Sequence, residues 1–402
     1  MKAFRTLIFW LHLAMGVTVG VVVLIMSVTG VLLTYEKQIM RWADTHALDG
    51  SPPSPDAKRL DVASLVARAG QGSSSTPTAI TWRAGSDAPV EIAFGRERTV
   101  FLNAYTGAVL GENSRGTRQF FLTVTGWHRW LGREGSLRPL ARSATGLANL
   151  GFLFIVVSGL YLWWPRHWTR RTLRNATLFR RGLRSKARDF NWHNVIGLWS
   201  WMPLVVVVAS GVVISYPWAS NLVYRVVGEA PPTPQRPPAA PGGRTEAGRE
   251  GARPASATMP TSEPALDPLV TSATQRLGDW RSVTMALPTR SGAPVTFAID
   301  RGTGGEPHKR AELQLDRVTG AEVRWQPFSA GTAGRRLRAI VRFAHTGEVL
   351  GIVGQTIAGL VTLGSVFLVY TGLALTLRRF VKWQRRKSRF AEGRVARPAR
   401  AA

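Results

Sequence analysis

The sequence predicts a mainly α-helical membrane protein. Four transmembrane helices come from a helix–loop domain–helix unit used twice, and each loop forms a small α+β domain on the outward side. Three observations predict this. Four apolar stretches are long enough to cross a hydrocarbon core of about 30 Å. Lys and Arg gather in the short segments between and after them. Glycine, tyrosine and histidine recur at matched offsets in the two halves of the chain.

The apolar stretches run roughly over 8–35, 145–164, 195–218 and 352–377. The first is too long for a signal-peptide core and lacks a small-residue cleavage site, so it reads as a retained anchor. The expected layout is a first helix over 1–36, a loop domain over 37–127 and a second helix with its lead-in over 128–166. A basic loop over 167–192, a third helix over 193–218 and a second loop domain over 219–344 follow. A fourth helix over 345–379 and a basic tail over 380–402 complete it. The Pro-rich stretch 230–268 cannot bury a core and reads as a disordered insertion.

The net charge of +28 suggests nucleic acid, but its distribution reads as topology, and no recognition fold accompanies it. Between the second and third stretches stand nine Lys/Arg against one Asp; after the fourth stand ten against one Glu. The two long loops are closer to balance, ten against eight and seventeen against eleven. By the positive-inside rule both termini and the middle loop face the cytoplasm, and both long loops face outward, into the periplasm of a bacterium. The expected location is a bacterial inner membrane, with membrane lipid as a partner and no nucleic acid. The chain has no cysteine. That excludes disulfides, thiolate metal ligands, iron–sulfur clusters and haem attached through C-x-x-C-H.

The repeat is read from the spacing. His12 is followed by Gly16 at four residues, Gly30 at eighteen and Tyr35 at twenty-three; His193 is followed by Gly197, Gly211 and Tyr216 at the same intervals. Gly146 and Gly159 are thirteen apart, as are Gly359 and Gly372, with His128 and His345 upstream. The loops echo too: VFLNAYTGAVLGE and LQLDRVTGAEVRW each read as strand, Thr-Gly turn, strand. Two units that each cross twice are related by an axis along the membrane normal. That pairs His12 with His193 toward the cytoplasmic face and His128 with His345 toward the outer face.

Ionisable residues at membrane depth point to function. A haem iron takes two axial ligands on opposite faces, and neutral imidazoles serve. His12 with His193, and His128 with His345, are therefore candidate axial ligands of two non-covalent b-type haems. Gly16 and Gly197, one turn from their histidines, are candidates for admitting the macrocycle, although glycine also serves ordinary helix packing. Tyr35 and Tyr216, about 34 Å along the helix from the lower histidines, are candidates for lining the upper pocket or for interfacial anchoring. Zinc or copper would need further ligands. His46, His167 and His308 have no counterparts in the other half; His167 is a spare ligand candidate. No G-x-G-x-x-G follows a strand, so electrons would come from an unidentified donor.

The strings FWLHLAMGV, VTGVLLTYEKQI, YTGAVLGE, GWHRWLG, SGLYLWWPRHW and FNWHNVIGLW resemble the PepSY-associated transmembrane family over nearly the whole chain. Members include inner-membrane reductases that release iron from ferric siderophores in the periplasm. The resemblance implies b-type haem on His12, His128, His193 and His345, and PepSY-like periplasmic domains. It makes a ferric siderophore or other periplasmic ferric chelate the expected electron acceptor, in iron uptake. Arg129, Arg133, Arg138 and Arg142 follow His128, where they would hold haem propionates or an anionic chelate, or snorkel at the interface. The alternative is a non-catalytic membrane protein that regulates or binds periplasmic partners; regulation does not require the paired histidines.

Overall fold

A computed structural model of the chain describes residues 2–165, 169–232, 265–288 and 292–395. His167 and most of the Pro-rich stretch lie outside the described residues. Two compact units emerge: Met1–Glu36, Arg118–Ser220 and Val341–Ala402 form one, and Lys37–Thr117 with Asn221–Ile340 the other.

The chain begins with α1 (Lys2–Leu33), α2 (Glu36–Thr45) and α3 (Val62–Gly70). Strands β1 (Ala79–Arg83), β2 (Val90–Phe94), β3 (Arg98–Leu102) and β4 (Val109–Glu112) follow. Then come α4 (Arg115–Trp130), α5 (Arg138–Trp163), α6 (Arg170–Thr177), α7 (Ser185–Ser215), α8 (Pro217–Val226) and α9 (Asp267–Arg276). The chain continues through β5 (Ser282–Ala286), β6 (Val295–Asp300), β7 (Arg310–Leu315), β8 (Glu322–Pro327), α10 (Ala333–Ala344) and α11 (Gly351–Val395).

In the first unit α1, α5, α7 and α11 carry the four segments long and apolar enough to span a membrane. Each of these segments has at least 29 residues, or about 43 Å of helix. The helices pack in a ring: α1 touches α5 and α11, and α7 touches the same two. Exposed Val21, Leu147, Met202 and Leu360 cover the outside with apolar surface, as lipid contact requires. Inside, Ser365 Oγ and Ser27 Oγ stand 2.7 Å apart, a buried polar contact that fixes α11 against α1.

The second and fourth spans do not start at their histidines. His128 lies on α4, which ends at a turn where Leu131 and Gly132 take φ of 52° and 68°. A Cβ on Gly132 would sit 2.9 Å from the Trp127 indole. His345 follows α10, and Gly347 then turns the chain at φ 73°. A Cβ at Gly347 would also collide with the backbone of Gly354, so only glycine makes that turn. Both histidines are thus carried on a short lead-in that is broken from the span behind it.

In the second unit all the strands join one antiparallel sheet in the order β4-β3-β2-β1-β5-β6-β7-β8. The sequence reads as two separate small domains; instead β1 pairs with β5, Thr81 opposite Thr284, and the two meanders share an edge. The reason is burial. Leu65, Ile80, Ile92 and Leu102 from the first loop meet Met285, Phe297, Ile299 and Leu313 from the second in one core, with α3 and α9 contributing to it. Neither four-stranded half would bury as much alone. The two echoed strings are the edge hairpins β3–β4 and β7–β8. Asn103 accepts from Tyr105 and Thr106, Asp316 accepts from Val318 and Thr319, and Gly107 and Gly320 follow at φ 69°. Helix α9 starts at Asp267, inside the stretch expected to be disordered through 268, because Pro268 is well placed in a first helical turn.

Candidate functional site

Each of the four histidines at membrane depth is held the same way, by a hydroxyl and a glycine that are neighbours in sequence. His12 on α1 meets Ser158-Gly159 on α5: Nδ1 is 2.8 Å from Ser158 Oγ, and a Cβ on Gly159 would sit 3.4 Å from Cε1. His193 on α7 meets Thr371-Gly372 on α11 at 2.9 Å and 3.4 Å. His128 meets Thr29-Gly30 on α1 at 3.0 Å and 3.5 Å. His345 meets Ser210-Gly211 on α7 at 3.4 Å and 3.2 Å. The glycine removes the side chain that would crowd the ring edge, and the hydroxyl fixes the ring's rotation.

The histidines come together as two pairs. The rings of His128 and His345 stand 6.3 Å apart, centre to centre, tilted by 56°. Two imidazoles on opposite sides of one metal ion, with bonds of about 2.0–2.1 Å, put their ring centres roughly 6 Å apart. His12 and His193 stand near one another across the bundle. Among the described residues no group of three or more His, Cys, Asp or Glu could hold a bare metal ion. A metal held by each pair would therefore need its remaining ligands from a bound group.

A cavity of about 420 Å³ surrounds the His128/His345 pair, within the range of cofactor pockets. Val23, Met26, Phe152, Leu204 and Val208 give it apolar walls. Arg129, Arg142 and Arg342 stand at its lining with Glu36. Burial, then Arg142, Arg342 and Arg138, push the Arg129 guanidinium below its ordinary pKa. This is a concentration of positive charge suited to carboxylates. Haem fits these residues: two paired imidazoles, a largely apolar pocket for the macrocycle and cations for its propionates.

Several candidates read from the sequence lie elsewhere. Arg133 and Arg138 are not among the lining residues; Arg138 stacks over Trp130 at 3.8 Å. Tyr35 bonds Thr356 at 2.7 Å, and Tyr216 packs on Gly146; neither lines the cavity. Gly16 has no heavy atom within 4 Å of a built Cβ, and Gly197 has only Leu368 at 3.6 Å. Gly16 thus leaves open space one turn from His12, whereas Gly197 packs on Leu368. His46 stacks on Trp42 at 4.2 Å, and His308 sits in a short turn over Pro307–Lys309, so neither joins a pair.

Sequence reasoning missed the four hydroxyls, Arg342 and Asn149. The hydroxyls had a signal: VTGVLL, VSGLYL, ASGVVI and YTGLAL each place Ser or Thr before the glycine already marked by its spacing. Arg342 and Asn149 had none, since each reaches the cavity only through tertiary packing.

Comparison with curated proteins finds no match. The family model described as the PepSY-associated TM region matches residues 9–379. With four spanning helices and a match over nearly its whole length, the chain is a multi-pass membrane protein and belongs to the PepSY-associated TM family.

Proposed function

We propose that the protein is a di-haem b-type oxidoreductase of the bacterial inner membrane. It would carry electrons from a cytoplasmic-side donor to a periplasmic ferric chelate such as a ferric siderophore. The observation that supports this best is the facing pair His128 and His345, 6.3 Å apart in an apolar cavity lined by Arg129, Arg142 and Arg342. The matched contacts of all four histidines support a duplicated unit with one site toward each face. The basic middle loop and tail support cytoplasmic termini, and with them an inward His12/His193 layer and two long PepSY-like loops in the periplasm.

Bound haem would supply a one-electron ferric/ferrous couple at each layer. His12 and His193 hold the inner position, His128 and His345 the outer. The apolar walls would pack on the macrocycle, and the arginines would offset the propionate charge. Reducing a chelated ferric ion to the ferrous state weakens its hold on hard oxygen ligands and frees it. The test is the visible spectrum of the purified protein, oxidised and dithionite-reduced, with and without ferric siderophore. Low-spin b-type haem that is reoxidised by the ferric chelate supports the reading; a colourless protein from haem-replete cells refutes it.

A further inference from the structure

The hydroxyl partners of the four histidines do more than fill space. Each hydroxyl sits one turn after a backbone carbonyl of its own helix and donates to it. Thr29 donates to Ile25 O at 2.7 Å, Ser158 to Phe154 O at 2.7 Å, Ser210 to Val207 O at 2.8 Å and Thr371 to Phe367 O at 2.7 Å. With its one hydrogen so committed, the oxygen offers only lone pairs to the imidazole. With the hydroxyl kept on its own helix, the ring nitrogen facing it is the one that donates. The backbone agrees independently: His128 Nδ1 is 3.0 Å from Met26 O, and His345 Nδ1 is 2.8 Å from Val207 O. A carbonyl only accepts, so Nδ1–H donates there as well.

We infer that Thr29, Ser158, Ser210 and Thr371 are positioning residues that lock the four histidines as Nδ1–H tautomers, leaving each Nε2 lone pair free for a metal. The lock operates before any cofactor arrives. In water the two tautomers of a free imidazole interconvert, and a ligand that must first shift its proton and rotate binds less tightly. The hydroxyl–glycine pair removes both requirements, with the hydroxyl setting the proton and the glycine leaving room for the ring edge. The four locks are unequal. At His345 the carbonyl of Val207 is nearer than Ser210 Oγ, 2.8 Å against 3.4 Å, so the hydroxyl adds least there. At His12 the contact is Ser158 Oγ at 2.8 Å. Loss of Ser158 is therefore the most damaging of the four and loss of Ser210 the least.

The ligand role rests on the haem reading; the tautomer does not, and the experiment separates them. Full-length protein labelled with ¹⁵N-histidine is studied haem-free by NMR, then titrated with haemin. The variants are Ser158→Ala, Thr371→Val, Thr29→Val and Ser210→Ala, with Ser158→Thr and Thr371→Ser as conservative rescues. The wild type shows Nδ1–H, Nε2-bare rings at all four positions. Ser158→Ala gives His12 an Nε2–H population and weakens haemin binding by roughly 10- to 100-fold, Ser210→Ala does so least, and the Ser/Thr exchanges restore both. Wild-type rings protonated at Nε2 overturn the inference, as does a Ser158→Ala protein with unchanged tautomer and affinity. Should a variant not fold, the wild-type spectrum alone decides the tautomer. Wild-type protein that holds Nδ1–H rings but takes up no haemin sinks the haem reading and leaves the lock standing.

Discussion

Replacing Gly211 by alanine tests the glycine half of the histidine sites. The new methyl would lie 3.2 Å from His345 Cε1 and 2.9 Å from Asn149 Nδ2. Asn149 is 6 % exposed and donates to Val208 O at 3.2 Å, so yielding to the methyl by turning toward the cavity breaks that bond. Overpacking a tight interior costs about 1–3 kcal/mol. Loss of the Asn149 bond adds about 0.5–1.5 kcal/mol. Alanine returns about 1 kcal/mol through helix propensity. The net is a loss of about 0.5–3.5 kcal/mol, and where it falls on the bound state haemin affinity drops roughly 2- to 400-fold. Haemin titration with thermal unfolding of the haem-free protein measures both parts. A Gly211→Ala protein that keeps wild-type affinity and wild-type unfolding temperature refutes the argument that the ring edge is held against this glycine.

Other outcomes follow from the same geometry. Gly16→Ala adds a methyl to open space, so the haem-free protein gains about 1 kcal/mol of helix propensity, while haem at the His12 layer is lost if that space takes the macrocycle; unfolding and haem count report the two effects separately. Arg342→Gln relieves repulsion on Arg129 and removes a carboxylate partner. It weakens haemin by about 1.5–3 kcal/mol but leaves the affinity of the haem dimethyl ester unchanged. Asp189, 1 % exposed, pairs with Arg188 at 3.0 Å and Arg378 at 2.7 Å. Asp189→Asn costs about 1–3 kcal/mol in thermal unfolding, less than a fully buried pair, because the Arg188 and Arg378 side chains are 45 % and 35 % exposed. Asp61 caps α3, and backbone and hydroxyl bonds from Ser64 hold its carboxyl below the usual range. Its stabilisation is present above the ordinary carboxylate pKa and lost as pH falls through the lowered one. Asp61→Ala therefore costs about 1 kcal/mol at neutral pH, and the difference from wild type closes on acidification.

The four spans, their matched glycines and the paired histidines were legible in the sequence because helix-period chemistry repeats at fixed offsets. His12 and Ser158 lie on different helices, yet the serine could have been found, since it precedes a glycine whose spacing repeats. The single eight-stranded sheet was not legible. Nothing local says that Thr81 pairs with Thr284, because the seam is set by the shared core and not by a turn. The macrocycle role given to Gly16 and Gly197 came from the nearest glycine along the same helix. The glycines that touch the rings, Gly159 and Gly372, come from the facing helix, which only packing reveals. Tyr35 and Tyr216 repeat as faithfully as the histidines, yet neither lines the cavity, so a repeat marks a shared scaffold as readily as a site.

The most direct test of the account is a pyridine haemochrome count on purified wild-type, His12→Ala and His128→Ala proteins. The account predicts two b-type haems per chain in the wild type and one in each variant, a different one lost each time. A wild-type chain with no haem, or variants that keep both, would contradict it.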